Sequence, residues 1–277
     1  MRATVFLLLA FFVAVSAARS ADPEIPTLWD ANERLAAPNL SDLERLRFLT
    51  TVDFPPFNYL DSTGQLTGFN VELARALCAE LEVSDRCQIQ ALPWEELVPA
   101  LEAGDGDAII AGLAATSERR DQLAFSRPYL KLPARFVMRR SSALSEPLGH
   151  KLDGKRVGVI AGDPHERMLR DYFPAAQVVT YDKAEWLFGD LKEGKLDGAF
   201  GDGMRLSFWL AGSDAANCCR FAGGPYLAPE HLGTGLTIAV PKENARLTAA
   251  FDFALRELTA KGVFGELYLK HFPVSFF

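Results

Sequence analysis

Apolar residues in the first half of the chain follow two spacings, that of a buried strand and that of a one-sided helix. The predicted elements are strand 46–50, helix 68–81, strand 87–92, helix 93–101 and strand 108–111. In the first helix Leu73, Leu77 and Leu81 form one apolar stripe, and Asn70 stands where an N-cap is expected. Strands that alternate with helices predict a parallel sheet with helices on its faces.

The same order of elements recurs in the second half of the chain. It predicts strand 156–160, helix 164–172, strand 177–181, helix 184–192 and strand 196–200. Two α/β lobes follow from this repeat. The region after Pro229 holds one strand and two helices, which is too little for a third domain. We therefore expect a first lobe of residues 46–138 and 234–277, a second lobe of 139–233, and two crossings near 138–142 and 229–233. A crevice between two lobes is a common ligand site that closes by a hinge motion.

The first residues have the pattern of a signal peptide. Arg2 precedes an apolar run over 5–15, and the small residues Ser16 and Ala18 follow. A run of about eleven residues is too short to span a bilayer but fits the apolar core of a signal peptide. We expect a signal peptide over 1–18, cleaved after Ala18, and an extended N-terminal arm over 19–45. An uncleaved membrane anchor is the alternative.

Four cysteines suit an exported protein. Cys78 and Cys87 stand at a predicted helix end and near the start of the next strand, so a disulfide between them would close a small loop. Cys218 and Cys219 are adjacent and can bond only through a strained ring, so no bond is assumed there. Four free buried thiols are the alternative.

Composition and charge exclude some classes of function. With 49% hydrophobic and 23% charged residues the chain is globular in composition. Its net charge of −7, or −8 once Arg2 is removed with the signal peptide, argues against a nucleic-acid partner. No metal or cofactor is expected, because Asp105 and Asp107 lack further spaced acids and no phosphate-binding loop is present.

The stretch from 104 to 129 contains the first candidate site. Its apolar strand ends at Gly112, and Thr116 can cap a following helix whose first turns hold Arg119 and Arg120. Open α/β sheets bind ligands at the carboxyl ends of their strands. An arginine at that edge offers a planar fork of donors to a carboxylate.

Several segments together carry a resemblance to a known family. They are Phe54-Pro55-Pro56-Phe57, residues 64–73 (GQLTGFNVEL), Trp94 with Leu101, Thr116-Ser117-Glu118-Arg119, Phe125-Ser126-Arg127-Pro128-Tyr129, and Gly194-Lys195-Leu196-Asp197-Gly198 with Asp202. Over about residues 46–270 the chain resembles the bacterial extracellular solute-binding proteins of family 3, the amino-acid-type binding proteins of ABC transporters. The resemblance implies an α/β, two-lobed type II periplasmic binding protein fold, in which each lobe is a mostly parallel sheet flanked by helices and two segments form the hinge.

The resemblance also implies roles for particular residues. In the first lobe it implies that Phe54 stacks on the ligand, Gly112 offers its backbone and Arg119 binds the ligand α-carboxylate. In the second lobe a turn that supplies backbone and hydroxyl donors falls on Gly162 and Asp163, and the acid that binds the α-amino group falls on Asp202. Such an arrangement suits a zwitterion, since charge-assisted hydrogen bonds contribute about 1.5–3 kcal/mol each.

The chain departs from the family pattern at several positions. Ala114 replaces a usual Ser or Thr, so a hydroxyl contact is missing. Asp163 replaces a usual Thr, and Pro164 after it has no N–H. Two interpretations of Asp163 stay open: it caps the next helix, or it faces a cationic group of the ligand. An acid that some family members carry after the first strand falls on Thr51.

Three function classes are considered. The first is a monomeric, non-enzymatic periplasmic binding protein that delivers a small amino-acid-like solute to an ABC transporter permease in the inner membrane. The second is a cyclohexadienyl dehydratase-like enzyme on the same fold, for which only Asp163 or Asp53 could serve as general acid. A sensory module is a third class, for which no kinase segment is attached to this chain.

Overall fold

The computed structural model describes residues 28–30, 32–144, 146–272 and 275–277. The expected signal peptide, 1–18, and the first part of the expected arm lie outside the described residues. The described residues of 28–45 form neither helix nor strand. Trp29 nevertheless packs into the core of the first lobe, and Arg127 binds Glu33 through two hydrogen bonds of 2.6 and 2.7 Å. This part of the arm is therefore docked on the first lobe.

The first lobe contains a five-stranded sheet with helices on both faces and a small three-stranded sheet. Its elements before the first crossing are β1 (Leu46–Thr50), β2 (Asp53–Phe54), β3 (Asn58–Leu60), β4 (Leu66–Thr67), α1 (Phe69–Glu80), β5 (Cys87–Ala91), α2 (Leu97–Glu102), β6 (Ala108–Ile109) and β7 (Leu123–Phe125). Strands β2, β3 and β4 form the small sheet. Strands β5, β1 and β6 are parallel, as the alternation of strands and helices predicts. Along β1, Phe48 faces one hydrophobic core and Leu49 the other, because successive strand residues point to opposite faces.

The second lobe repeats this arrangement. Its elements are β8 (Ala134–Arg139), β9 (Arg156–Ile160), α3 (Pro164–Tyr172), β10 (Gln177–Tyr181), α4 (Ala184–Glu193), β11 (Gly198–Asp202), α5 (Gly203–Ala211), β12 (Cys219–Tyr226) and α6 (Pro229–Leu232). The sheet order is β10-β9-β11-β8-β12, in which the first three strands are parallel and β8 is antiparallel to both of its neighbours. The predicted two-lobed α/β fold is confirmed, with sheets that mix parallel and antiparallel strands.

The chain then returns to the first lobe through β13 (Ala239–Pro241), α7 (Ala245–Ala260) and α8 (Val263–His271). Strand β13 lies between β6 and β7 and is antiparallel to both. Helices α7 and α8 pack on α1 and share its hydrophobic core. The C-terminal region therefore completes the first lobe.

Two crossing segments join the lobes. The first runs from Phe125 to Ala134 and the second from Tyr226 to Ala239. They contact each other through an antiparallel bridge, in which the Leu236 N–H donates to the Leu130 carbonyl at 2.7 Å. The first crossing lies earlier than the expected 138–142. Residues 130–140 form one apolar run in the sequence, which predicts a single strand there and hides the crossing. Pro133 interrupts that run, and the strand that follows, β8, pairs wholly within the second sheet.

The start of α1 corrects one expectation from the sequence. Asn70 is not the N-cap, since the helix begins at Phe69 and Gly68 precedes it. The first backbone N–H groups are satisfied by the hairpin of β2 and β3: Phe69 donates to Pro56 at 2.9 Å and Asn70 to Phe57 at 2.8 Å. Gly68 is required there because its φ is 121° and a Cβ would lie 2.3 Å from the Phe57 carbonyl oxygen.

Asn70 instead belongs to a buried chain of side-chain hydrogen bonds. Its amide donates to Asn58 Oδ1 at 2.9 Å, and Asn58 Nδ2 donates to Thr51 Oγ1 at 2.6 Å. The Tyr129 hydroxyl donates to Asn70 Oδ1 at 2.8 Å. All four residues are almost fully buried, and burial raises the pKa of Tyr129 above its usual range. These hydrogen bonds join the end of β1, the hairpin, α1 and the start of the first crossing.

The cysteines form two disulfides. Cys78 in α1 is bonded to Cys87 at the start of β5, as the sequence analysis suggested. Cys218 is bonded to Cys219, where no bond was assumed. A tight turn precedes this second pair, in which Ala216 and Asn217 have positive φ values of 47° and 55°. All four cysteines are therefore paired.

We predict that Asn70→Ala lowers the free energy of unfolding by about 2–4 kcal/mol, because Asn58 and Tyr129 would each keep a buried polar group without its partner. Chemical denaturation followed by circular dichroism measures the change. Asn32→Ala, at an exposed position in the arm, is the matched control and should stay within about 0.5 kcal/mol of the wild type. If Asn70→Ala lowers the free energy of unfolding no more than the control does, a structural role for these buried hydrogen bonds is contradicted.

Candidate ligand-binding site

Phe54 occupies the centre of the candidate site, at the end of β2. Its ring stacks on the fully buried Phe57, with centroids 4.7 Å apart and planes inclined by 23°. Gly112 lies directly against it: φ is +83°, and a Cβ at this position would be 2.9 Å from Phe54 Cε1. Glycine at 112 therefore permits both the left-handed backbone and the position of the Phe54 ring.

A cavity of about 310 Å³ opens on the first-lobe side of Phe54. Its walls are Thr51, Asp53, Phe54, Trp94, Ala111 and Gly112. Trp94 is 44% exposed, although a large aromatic side chain is usually mostly buried. Trp94 belongs to one of the motifs of the family resemblance, which implies no ligand-binding role for it. Its place directly after Pro93, past the carboxyl end of β5, is the signal that points to this edge of the sheet.

A second cavity, of about 280 Å³, opens between the lobes. Phe54 is its contribution from the first lobe, and Leu132 comes from the first crossing. The second lobe contributes Asp163, Pro164, His165, Asp202, Met204, Arg205, His231 and Leu232. The structure thus brings Phe54, Asp163 and Asp202 together around one space.

Asp202 ends β11 and caps α5. Its Oδ1 accepts a hydrogen bond from the Arg205 N–H at 2.8 Å. Burial raises the pKa of Asp202 above its ordinary value, and the nearby Asp163 charge adds to the rise, while the Arg205 N–H and the charges of His165 and Arg205 oppose it. A cation placed beside this carboxylate would favour its ionised form.

Asp163 caps α3. Its Oδ1 accepts from the His165 N–H at 3.0 Å and also contacts His165 Nδ1. Burial acts to raise the pKa of Asp163, but the hydrogen bonds from His165 outweigh it, so that the pKa lies below its ordinary value. The carboxylate is therefore ionised beside the cavity. The helix cap is observed, and contact of Asp163 with a cationic ligand group is a separate question.

His165 is a site residue that the sequence analysis missed. It is 8% exposed and lines the interlobe cavity. Within the described part of the chain its Nε2 is buried without a hydrogen-bond partner. The spacing to Asp163 was the available signal, since a residue two positions after an acidic N-cap lies beside the capping carboxylate.

Arg119, Ala114 and Gly162 lie apart from both cavities. Arg119 belongs to a single 3₁₀ turn, Arg119–Asp121, in place of the predicted helix. Its Nη1 donates to the Ala114 carbonyl at 3.1 Å, and its N–H to Thr116 Oγ1 at 3.3 Å. Gly162 donates its N–H to Glu166 Oε2 at 2.9 Å, so this expected ligand donor is engaged within its own turn. Arg119 and Asp202 are not brought together around one space.

Among the described residues no helix is long and apolar enough to cross a membrane. Within the same residues there is no group of three or more His, Cys, Asp or Glu side chains placed to hold a metal ion. The interlobe cavity is lined by two acids, Asp163 and Asp202, and by Arg205.

Comparisons with known proteins show which family and fold the chain resembles. The ABC transporter arginine-binding protein 1 of Escherichia coli K12 is 30% identical over 233 residues, which cover 84% of this chain and 93% of that protein. An ancestral cationic amino acid solute-binding protein of known structure is 26% identical with a TM-score of 0.61, covering 84% of this chain and 97% of that one. The L-cystine solute receptor of Neisseria gonorrhoeae shares the fold, with a TM-score of 0.73, 22% identity, and coverage of 83% of this chain and 93% of that one.

The sequence model of the family described as bacterial extracellular solute-binding proteins, family 3, matches residues 46–274. That range contains all three sheets, both crossings and every residue of the two cavities described above. The chain therefore belongs to the bacterial extracellular solute-binding proteins of family 3.

Proposed function

We propose that this protein binds an amino acid with a cationic side chain between its two lobes and delivers it to an ABC transporter permease. The main support for the proposal is that Phe54 lines both cavities. It lies in the wall of the first-lobe cavity and also in the wall of the interlobe cavity, beside Asp163 and Asp202. Relatives named for binding arginine and cationic amino acids support the same class of ligand.

The chemistry of the two cavities suits such a ligand. Asp202 and Asp163 offer carboxylates to ammonium groups, and Asp53 adds a third acid on the first-lobe side. Phe54 and Trp94 present aromatic rings to the same space. A guanidinium or ammonium group over an aromatic face gains about 0.5–2 kcal/mol, more where water is excluded. Arg205 would oppose a cation, so the acids must outweigh its charge.

Closure of the lobes would complete the site. In the proposal Arg119 of the first lobe exchanges its bond to the Ala114 carbonyl for the ligand carboxylate, while Asp202 of the second lobe binds the α-amino group. Only a closed form makes both contacts, so the ligand shifts the population toward closure. The two crossing segments are the hinge.

The cellular setting is also part of the proposal. Family membership favours a periplasmic protein that is released by cleavage after Ala18 and works as a monomer with an inner-membrane permease. The dehydratase alternative is not supported, because the relatives are named as binding proteins. The lowered pKa of Asp163 also argues against this residue as a general acid.

We predict that arginine and lysine raise the melting temperature of the protein and that glutamate does not. At a ligand concentration 100 times the Kd, the free energy of unfolding should rise by about 2.7 kcal/mol. Arg119→Ala should abolish the rise, because the carboxylate would lose its donors. Arg45→Ala, an exposed arginine at the start of the first lobe, is the matched control. A rise of wild-type size in Arg119→Ala would refute the role of Arg119.

Gly112→Ala should weaken arginine binding by about tenfold, because its Cβ displaces the Phe54 ring, and should cost about 1 kcal/mol of stability through the left-handed backbone. Gly104→Ala is the control for backbone strain: φ is +76°, and nothing lies within 4 Å of an added Cβ. The control should lose similar stability but keep its affinity in calorimetric titration. Equal affinity losses in the two variants would argue against Phe54 as a ligand platform.

Arginine affinity should fall as the pH drops from 7 through the raised pKa of Asp202, because a bound ammonium requires the carboxylate and must displace the proton. Above that pKa the contribution of Asp202 should be constant. Asp202→Asn should bind more weakly at pH 7, keep the helix cap and lose this part of the pH dependence. Calorimetric titrations at several pH values provide the comparison, and identical pH profiles for the two proteins would contradict the role of Asp202.

A further inference from the structure

The two crossing segments enclose a cavity of about 330 Å³ that the proposed solute site does not use. Arg120, Ser126 and Lys131 contribute to its walls, and the second crossing contributes Thr234 and Thr237. Leu132 and Leu232 separate it from the interlobe cavity, because they line both. The hinge cavity, defined by these residues, therefore lies next to the solute site and is distinct from it.

The charges of the hinge cavity have one sign. Arg120 and Lys131 are its charged residues, and its lining contains no aspartate or glutamate. Among the residues that the structure describes, neither side chain takes part in an ion pair. The cavity thus presents positive charge that the fold itself does not neutralise.

Both cations are held against neighbouring groups. The Arg120 guanidinium lies over the Phe125 ring, 5.3 Å from its centroid, which leaves the donor edge of the fork available. The Lys131 stem packs on the second crossing: Gly235 has φ +112°, and a Cβ there would lie 3.1 Å from Lys131 Cγ. Less side-chain entropy is therefore left to lose when these groups bind an anion.

The hydroxyl groups of the cavity divide into two kinds. Ser126 Oγ donates to the Arg127 carbonyl and accepts from the Ile238 N–H, both at 2.9 Å. Thr237 Oγ1 donates to the Leu113 carbonyl at 3.3 Å. These two stabilise the hinge itself. Thr234 is exposed and has no such bond among the described residues, so its hydroxyl can donate to a ligand.

We propose that the hinge cavity binds a small oxyanion of the phosphate or carboxylate class through Arg120, Lys131 and Thr234. Charge-assisted hydrogen bonds from a guanidinium and an ammonium suit the oxygen atoms of such a group. The oxyanion is free in solution and is not part of the solute, whose carboxylate the proposed function assigns to Arg119. Because the lining comes from the first lobe and both crossings, a bound oxyanion restrains the hinge, and oxyanion and solute change each other's affinity by the same factor.

The test is calorimetric titration of inorganic phosphate into the full mature chain without any amino acid, in a low-salt buffer free of other oxyanions. Saturable binding of one phosphate per chain is expected, weakened by roughly tenfold in Arg120→Gln and in Lys131→Gln. Arg45→Gln removes a charge outside the cavity and should bind as the wild type does. Lys131→Arg keeps the charge and should retain binding even if Lys131→Gln folds poorly.

Repeating the titration with arginine present tests whether the hinge cavity is separate from the solute site. Simultaneous binding of phosphate and arginine is expected, and mutually exclusive binding would overturn a separate oxyanion site. The proposal is overturned if wild-type protein binds no phosphate, or if Arg120→Gln and Lys131→Gln both bind as tightly as Arg45→Gln. The phosphate titration contains no solute, so its failure leaves the proposed transport function unaffected, and the reverse also holds.

Discussion

A buried chain of four polar side chains fixes the geometry on which the rest of the site depends. Thr51, Asn58, Asn70 and Tyr129 lie in four different elements and satisfy one another by hydrogen bonds of 2.6–2.9 Å. Buried amides and hydroxyls are costly when they are unpaired, so these elements keep one relative position. The hairpin held in this way carries Phe54, and Tyr129 stands where the chain leaves the first lobe. The aromatic wall of the site and the start of the hinge therefore share one support.

The second lobe contributes two carboxyl groups to the interlobe cavity, and the first lobe contributes the aromatic ring of Phe54. Asp163 and Asp202 both begin helices at the carboxyl ends of parallel strands, the edge at which α/β sheets bind ligands. Their pKa values are shifted in opposite directions, Asp163 by the hydrogen bonds of His165 and Asp202 by burial. A cation that arrives with the ligand would oppose the effect of burial at Asp202 and favour the ionised form of that carboxyl group. In the proposed function the cationic group of the ligand therefore helps to keep Asp202 ionised.

The order of strands and helices was predictable because each element has an apolar pattern of its own. The period of α1 and the apolar runs of β1 and β9 led directly to two α/β lobes. Short strands such as β7 have too few residues for a pattern. The apolar run around 130–140 concealed the first crossing, because apolar residues continue on both sides of Pro133, where the crossing ends and β8 begins. Asn70 was assigned to a cap by residue type, whereas the hairpin carbonyls already satisfy the helix N–H groups.

The residues of the candidate site were also only partly predictable from the sequence. Phe54, Asp163 and Asp202 follow from motifs, but Trp94 and His165 enter the cavities through tertiary packing, which spacing alone does not encode. Arg119 has the residue type for a carboxylate and lies away from both cavities, so its role depends on a change of conformation. A crystal structure of the protein grown with arginine tests this account most directly. It should contain arginine between Phe54 and Asp202, with closed lobes and the Arg119 guanidinium on its carboxylate. Arginine bound elsewhere, or bound here with Arg119 still on the Ala114 carbonyl, would contradict the account.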